Sequence, residues 1–351
     1  MTPLSYRAGA RALRRLRERR LRLSDLRGLV LPATGPRWIL ASGFDRALIE
    51  AGFAAEPRGP AERPLLIGAS AGAWRALALT ARDPLRAHER LLESYCEQRF
   101  RRGDSPAHIS AAYRALLEGV VDVGHALEHP ALDLVLTVVR ARAWGRALAR
   151  PRMLASMLGA AALNLVARDS TQWFFERVVF HTERAEQMLG GFRGRRVALS
   201  AENLHAVALA SGTVPVYMEP VLDLPGAGAG GYLDGGLADY HVNQPLRCAG
   251  GVIAMFSHQA RVVPGWFDKS LGWRESADAC SDLLVAYPTP EFIQSLPGGR
   301  VPTRDDFFEF EREPELRIRR WREVALRSRE LGAAFLEDLG SGRIAEQARA
   351  I

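Results

Sequence analysis

Two side chains, Ser70 and Asp234, stand where a chain can bring a nucleophile and a base together. Ser70 lies in Gly68-Ala69-Ser70-Ala71-Gly72, between the apolar run Pro64-Leu65-Leu66-Ile67 and an alanine- and leucine-rich stretch. That order predicts a strand, a tight corner and a helix. Gly68 and Gly72 are needed because the backbone reverses sharply at the serine and lifts its hydroxyl above the sheet edge. A serine hydroxyl is a poor nucleophile near neutral pH, so it requires a positioned base and donors aimed at the oxyanion that forms. Asp234, in Tyr232-Leu233-Asp234-Gly235-Gly236, is the candidate base. It ends a strand-like run, Gly235 and Gly236 let the chain turn away at once, and its carboxylate would face the crevice outside the carboxyl ends of the strands. An aspartate ahead of glycine also commonly does no more than cap a turn, and both readings stand. The loop Leu31-Pro32-Ala33-Thr34-Gly35-Pro36-Arg37 runs directly into a helix, which makes Thr34 and Gly35 candidate oxyanion donors. Arg37 either supports that loop or is a surface arginine of the first helical turn.

The elements that must position these residues read as follows. Leu29-Val30-Leu31 is a short buried strand, a helix runs from about Trp38 to Ala51 and stops at Gly52, and Leu65 to Ile67 is the second strand. Two strands separated by a helix imply a parallel α/β unit. From about residue 85 to 168 the pattern is mostly helical. Within it, Met153 to Ala167 carries no charge but falls short of the roughly 18 residues of a spanning helix, so it reads as buried or interfacial. Strand signals return at Val178 to Phe180, Val207 to Leu209, Gly231 to Leu233 and Gly251 to Met255. Pro225 to Gly231 reads as a flexible turn. Trp321, Val324, Leu331, Phe335 and Leu339 recur at helical spacing before Gly340, a terminal amphipathic helix.

Together these pieces resemble the patatin-like phospholipases. That family has a G-G-G-x-R-G loop after its first strand, a G-x-S-x-G corner after its second and a late D-G-G or D-G-A. Here Gly68 to Gly72 and Asp234-Gly235-Gly236 match. Ala210-Ser211-Gly212-Thr213-Val214-Pro215, Leu48-Ile49-Glu50-Ala51-Gly52 and Asn243-Gln244-Pro245 resemble further blocks of the family, in the right order from about Leu29 to Met255. The loop departs from it: Ala33, Thr34 and Gly35 stand for the three glycines, followed by Pro36, and Trp38 replaces the last glycine. Positive φ is costly at Ala33 and Thr34. The resemblance implies a three-layer α/β/α sandwich with a mostly parallel central sheet. It also implies a Ser70–Asp234 dyad in which the aspartate takes the serine proton directly, and hydrolysis of acyl esters in phospholipids or other lipids without metal or organic cofactor. On this reading residues 29–300 form the catalytic domain with a helical insertion at about 85–168. Residues 1–28 form a basic helical extension, and 301–351 a C-terminal helical one.

The 351 residues carry 47 basic and 40 acidic side chains, a formal charge of +7, and Lys269 is the only lysine. Nine arginines crowd residues 7–27, interleaved with leucines, and read as a solvated arm, a membrane-surface helix or a nucleic-acid contact. No interleaved aromatics accompany them, so nucleic acid is not expected. Arg140, Arg142, Arg146, Arg150 and Arg152, amid Leu134, Leu136, Val138, Val139 and Trp144, give residues 131–168 the look of a basic amphipathic surface for peripheral membrane contact, or of core with solvated arginines. Three separated cysteines, Cys96, Cys248 and Cys280, suggest neither disulfides nor a zinc site but small buried hydrophobes in a reducing compartment. With no apolar run typical of a secretory signal, the expected location is cytoplasmic, peripheral to a membrane; export without a signal stays open. Two rivals remain: an α/β-hydrolase triad with His241 or His258 after Asp234, and a lipid-binding protein that keeps the fold without the chemistry.

Overall fold

The computed structural model describes residues 2–55, 59, 62–142, 150–246, 250–275 and 281–351. Cys248, Cys280, Trp144 and Arg146 lie outside the described residues, as does the side chain of Arg150. Among the described residues eleven strands form one sheet: β1 (Leu4–Ala8), β2 (Leu26–Leu31), β3 (Leu65–Ala69), β4 (Asp133–Ala141), β5 (Phe175–His181), β6 (Arg195–Ala198), β7 (Val221–Leu222), β8 (Gly231–Asp234), β9 (Val252–Phe256), β10 (Leu283–Pro288) and β11 (Arg349–Ala350). The order is β11-β1-β10-β9-β2-β3-β4-β5-β6, with β8 pairing β4 and β7. The central run β10-β9-β2-β3-β4 is parallel throughout. These strands are buried on both faces, so they read as continuous apolar runs rather than alternating ones.

The two faces are covered unequally. Leu29, Leu31, Leu66, Leu134 and Leu136 point into the larger core beneath helices Ser42–Glu50, Ala71–Leu79, Pro84–Cys96, Pro106–Glu118 and Pro314–Ser341. Val30, Ile67, Val135, Ile253 and Val285 face the opposite way. There the cover is short turns and loops, including Leu189, Phe192, Tyr240 and Val263. The helix Arg150–Val166 covers only the far end of β4 and β8, through Met153 and Ala160.

Several expectations are corrected. The segment 85–168 is not a helical insertion, because β4 lies in its middle as a central strand with eight of its nine residues buried. The apolar residues Leu134 to Val139 are therefore core, not membrane surface. Val207 to Leu209 lie in the helix Leu204–Ser211, since a short apolar run buried on all sides has no period by which to tell strand from helix. Residues 1–28 are not an appended arm: β1 pairs antiparallel with β10, and Arg11 and Arg15 hold buried Asp282 at 2.8 and 2.6 Å. Nor are residues 301–351 an extension. The terminal helix passes Gly340 and ends at Gly342, whose φ of 86° closes it, and β11 then pairs with β1. That helix lies so close to Ser42–Glu50 that a Cβ on Gly43 would stand 2.0 Å from the Ser328 carbonyl oxygen.

Candidate active site

The sheet brings Ser70 and Asp234 together by an end-to-end meeting of two strands on one edge of β4. β3 runs parallel to β4 and finishes at Ala69, opposite Thr137. β8 runs antiparallel along the same edge and finishes at Asp234, opposite Val138. The two carboxyl ends thus point at each other across one step of β4, and the Ser70 hydroxyl donates to Asp234 Oδ2 at 2.7 Å. The aspartate was expected in the crevice beyond the parallel strand ends; it reaches that place from the opposite direction.

The corner is held tightly. Ser70 has φ 55° and ψ −131°, a region L-residues rarely enter, and its strain persists because the surroundings fix it. Gly72 must be glycine: a Cβ there would lie 1.8 Å from the Leu31 carbonyl oxygen. The Ser70 N–H donates to Ser211 Oγ at 3.0 Å, and Ser211 in turn donates to the Thr137 carbonyl at 2.8 Å. The second Asp234 oxygen accepts the Gly236 N–H at 2.7 Å, so the aspartate does cap its own turn while it bonds the serine. Gly235 packs against β4, where a Cβ would come within 2.1 Å of the Thr137 carbonyl oxygen.

Of the two expected oxyanion donors, Thr34 and Gly35, the first is committed elsewhere and the second borders the Ser70 cavity. Thr34 donates its N–H to the Pro32 carbonyl at 3.0 Å and Ala33 donates to Tyr240 at 2.8 Å, so the Thr34 amide, contrary to expectation, is committed within the chain. Gly35, φ 55°, is the first residue of a 3₁₀ turn, a position that leaves its amide without an intrahelical partner. It borders the same cavity as Ser70, as does Ala71, the first residue of the following helix. Gly35 alone in this loop takes positive φ, so Ala33 and Thr34 are unstrained. Burial raises the Tyr240 hydroxyl, and the nearby Arg37 guanidinium opposes that rise, which places Arg37 beside the chain that follows Asp234. Trp38 is buried, edge-on to Tyr95 at 5.5 Å.

Burial pushes the Asp234 carboxyl up from 3.8 to about 6, against the Ser70 and Gly236 hydrogen bonds and the positive charges of Arg304 and Lys269. It is thus a base of raised strength that is still mostly ionised at neutral pH. Lys269 is itself lowered to about 8 by burial and by Arg37 and Arg304. Its ammonium stands over the Tyr240 ring at 5.2 Å. Neither Arg304 nor Lys269 was among the sequence candidates. Arg304 carries no motif, whereas Lys269 had one signal, being the chain's single lysine. His241 is buried and His258 half-buried; desolvation lowers both, His241 to about 3, and neither bonds Ser70 or Asp234, His241 Nδ1 instead accepting the Val263 N–H.

A cavity of about 50 Å³ opens from Ser70 between Gly35 and aromatic walls of Trp74, Tyr95, Phe100, Tyr113 and Phe307, with Arg304 at its rim. Its apolar lining suits the few carbons of a substrate that lie next to the serine. A larger polar cavity of about 190 Å³, bordered by Arg168, Arg177 and Asp268, includes neither Ser70 nor Asp234. Its charges are paired, so the chemistry is assigned to the smaller one.

Comparison with known proteins agrees with this geometry only at the level of the family. No curated protein sequence matches the chain. Among solved structures, human GIVD cytosolic phospholipase A2 is similar with a TM-score of 0.37 at 11% identity, over 96% of this chain and 63% of that one. The chain therefore spans less than two thirds of that protein's length. A model of the patatin-like phospholipase family matches residues 29–241, which run from β2 through the turn after Asp234. That match covers more than half of the sequence, and the chain belongs to the patatin-like phospholipase family.

Proposed function

We propose that the protein is a serine acyl hydrolase that cleaves acyl esters of membrane lipids with a Ser70–Asp234 dyad. Asp234 accepts the Ser70 proton as Oγ attacks the ester carbonyl. The Gly35 and Ala71 amides lie beside Ser70 to receive the oxyanion, with Arg37 bracing the loop. Collapse expels the alcohol or lysolipid, which takes the proton back from Asp234, and leaves an acyl-serine. Water, deprotonated by Asp234, then releases the fatty acid and restores Ser70. The acyl carbons next to the ester enter the aromatic cavity, and Arg304 and Lys269 supply positive charge for an anionic head group. Such a substrate is met at a membrane surface, which makes the protein a peripheral one.

The observation that carries this reading is the 2.7 Å bond between a serine at a strained corner and a carboxylate of raised basicity. The inward commitment of the Ala33 and Thr34 amides favours a second reading, a lipid-binding protein without turnover. A fluorophosphonate probe separates the two: labelling that vanishes in Ser70→Ala supports the hydrolase, and no labelling of the wild-type protein rejects it.

A further inference from the structure

We propose that the outward face of the helix Arg150–Val166, with Trp173, Trp266 and Trp273 at its carboxyl end, is the surface that inserts into an anionic phospholipid bilayer. Its purpose rests on the acyl-hydrolase reading; its binding does not. Met153, Ser156, Ala160 and Asn164 are buried on one side of the helix. The other side carries Leu154, Leu158, Leu165 and Val166, with Leu158 71% and Val166 86% exposed. A helix that is apolar all round is ordinarily buried on every side. This one is half open to solvent, and from Met153 to Ala167 it holds no charged residue. No helix among the described residues is long and apolar enough to cross a membrane, so an in-plane position is the one that buries this face in lipid.

The surroundings identify the occupant. Trp173 and Trp273 are 70% and 74% exposed, and Trp266 is also outward. Each is fixed to the helix end: Trp173 closes the turn that follows it, the Arg274 guanidinium bonds the Leu165 carbonyl at 3.2 Å beside Trp273, and Asp268 holds Asn164 at 2.9 Å beside Trp266. Indole rings favour the boundary between hydrocarbon and head groups. Arg142, Arg152 and Arg193 are exposed around this face; of the exposed acids among the described residues there, Asp169 is 3.8 Å from Arg193 and Glu275, beyond Trp273, is paired with Arg7. A second copy of a chain of charge +7 would set like charges against each other, whereas anionic head groups complement them. The face is also continuous with the site mouth. Val216 packs with the side chains beneath the helix, and the adjacent Tyr217 borders the Ser70 cavity.

The test is flotation with vesicles of phosphatidylcholine containing phosphatidylglycerol. Wild-type protein floats with them. The double variant Leu158→Asp, Leu165→Asp and, independently, Trp273→Ala lower the bound fraction, the double variant by about tenfold or more. Hydrolysis of a dissolved short-chain ester stays within about twofold, because none of these residues touches the Ser70 cavity. The proposal is overturned if wild-type protein stays with the unbound fraction or if the variants float equally. It also fails if light scattering finds a dimer that the double variant dissociates. Absence of ester turnover in all proteins would reject the hydrolase reading and leave the flotation result to decide the surface.

Discussion

Two helices of nearly the same apolar character meet opposite fates. All nine residues of Ala71–Leu79 are buried, even Arg75, whose guanidinium grips Asp45 in a bidentate pair at 2.6 and 2.7 Å. Arg150–Val166 lies on the sheet by one side only. The difference is position: the first is enclosed by the sheet and by neighbouring helices, whereas the second sits at the sheet end where no further helix is laid over it. Apolar composition thus marks a helix that must be covered without saying by what. The first helix carries Ser70, the proposed nucleophile, at its start, and the second faces outward.

The largest effect separating the two regions falls at the start of the buried helix. Ser70→Ala or Asp234→Asn should lower ester turnover by about 10³-fold or more, whereas Leu158→Gln leaves turnover of a dissolved ester unchanged; steady-state kinetics checks both. Next, Arg75→Met strands the Asp45 carboxylate in the core and should cost about 3–5 kcal/mol in denaturant unfolding, since a buried ion pair is expensive to halve. The same assay on Leu154→Gln in the exposed helix should move stability by no more than about 0.5 kcal/mol. Finer still is pH. Turnover of any ester should rise through pH about 6 as Asp234 ionises, and that of an anionic ester alone should fall above about 8 as Lys269 loses its proton. The raised Asp234 value also means that the native state binds more protons than the unfolded chain between pH about 4 and 6. Stability therefore declines as pH rises across that window, and Asp234→Asn should flatten the slope measured by thermal melts.

The hydrogen-bonded pair of Ser70 and Asp234 stands in a legible pattern because its packing leaves little choice of residue. Gly72 and Gly235 touch backbone carbonyls, and only glycine fits such contacts, so the spacing around Ser70 and Asp234 survives as a readable pattern. The sheet was legible where strands are short, apolar and bounded by glycine, as at β3, β8 and β9. β4 was hidden because Thr137 and Arg140 interrupt a buried strand and imitate a helical surface. β1 was hidden in the arginine-rich start, although Leu4, Tyr6 and Ala8 alternate inward. Arg304 and Lys269 approach Asp234 through tertiary folding alone, which no local spacing records.

One consequence follows from the head-on meeting of β3 and β8. The serine and its partner are 164 positions apart, and a single intervening strand acts as the ruler for both. Sliding β8 by one residue along that ruler would displace the carboxylate by about 3.4 Å and turn it to the wrong face. Recovered turnover after refolding would therefore report that this long-range alignment has been achieved, a stricter criterion than regained helix content or compactness.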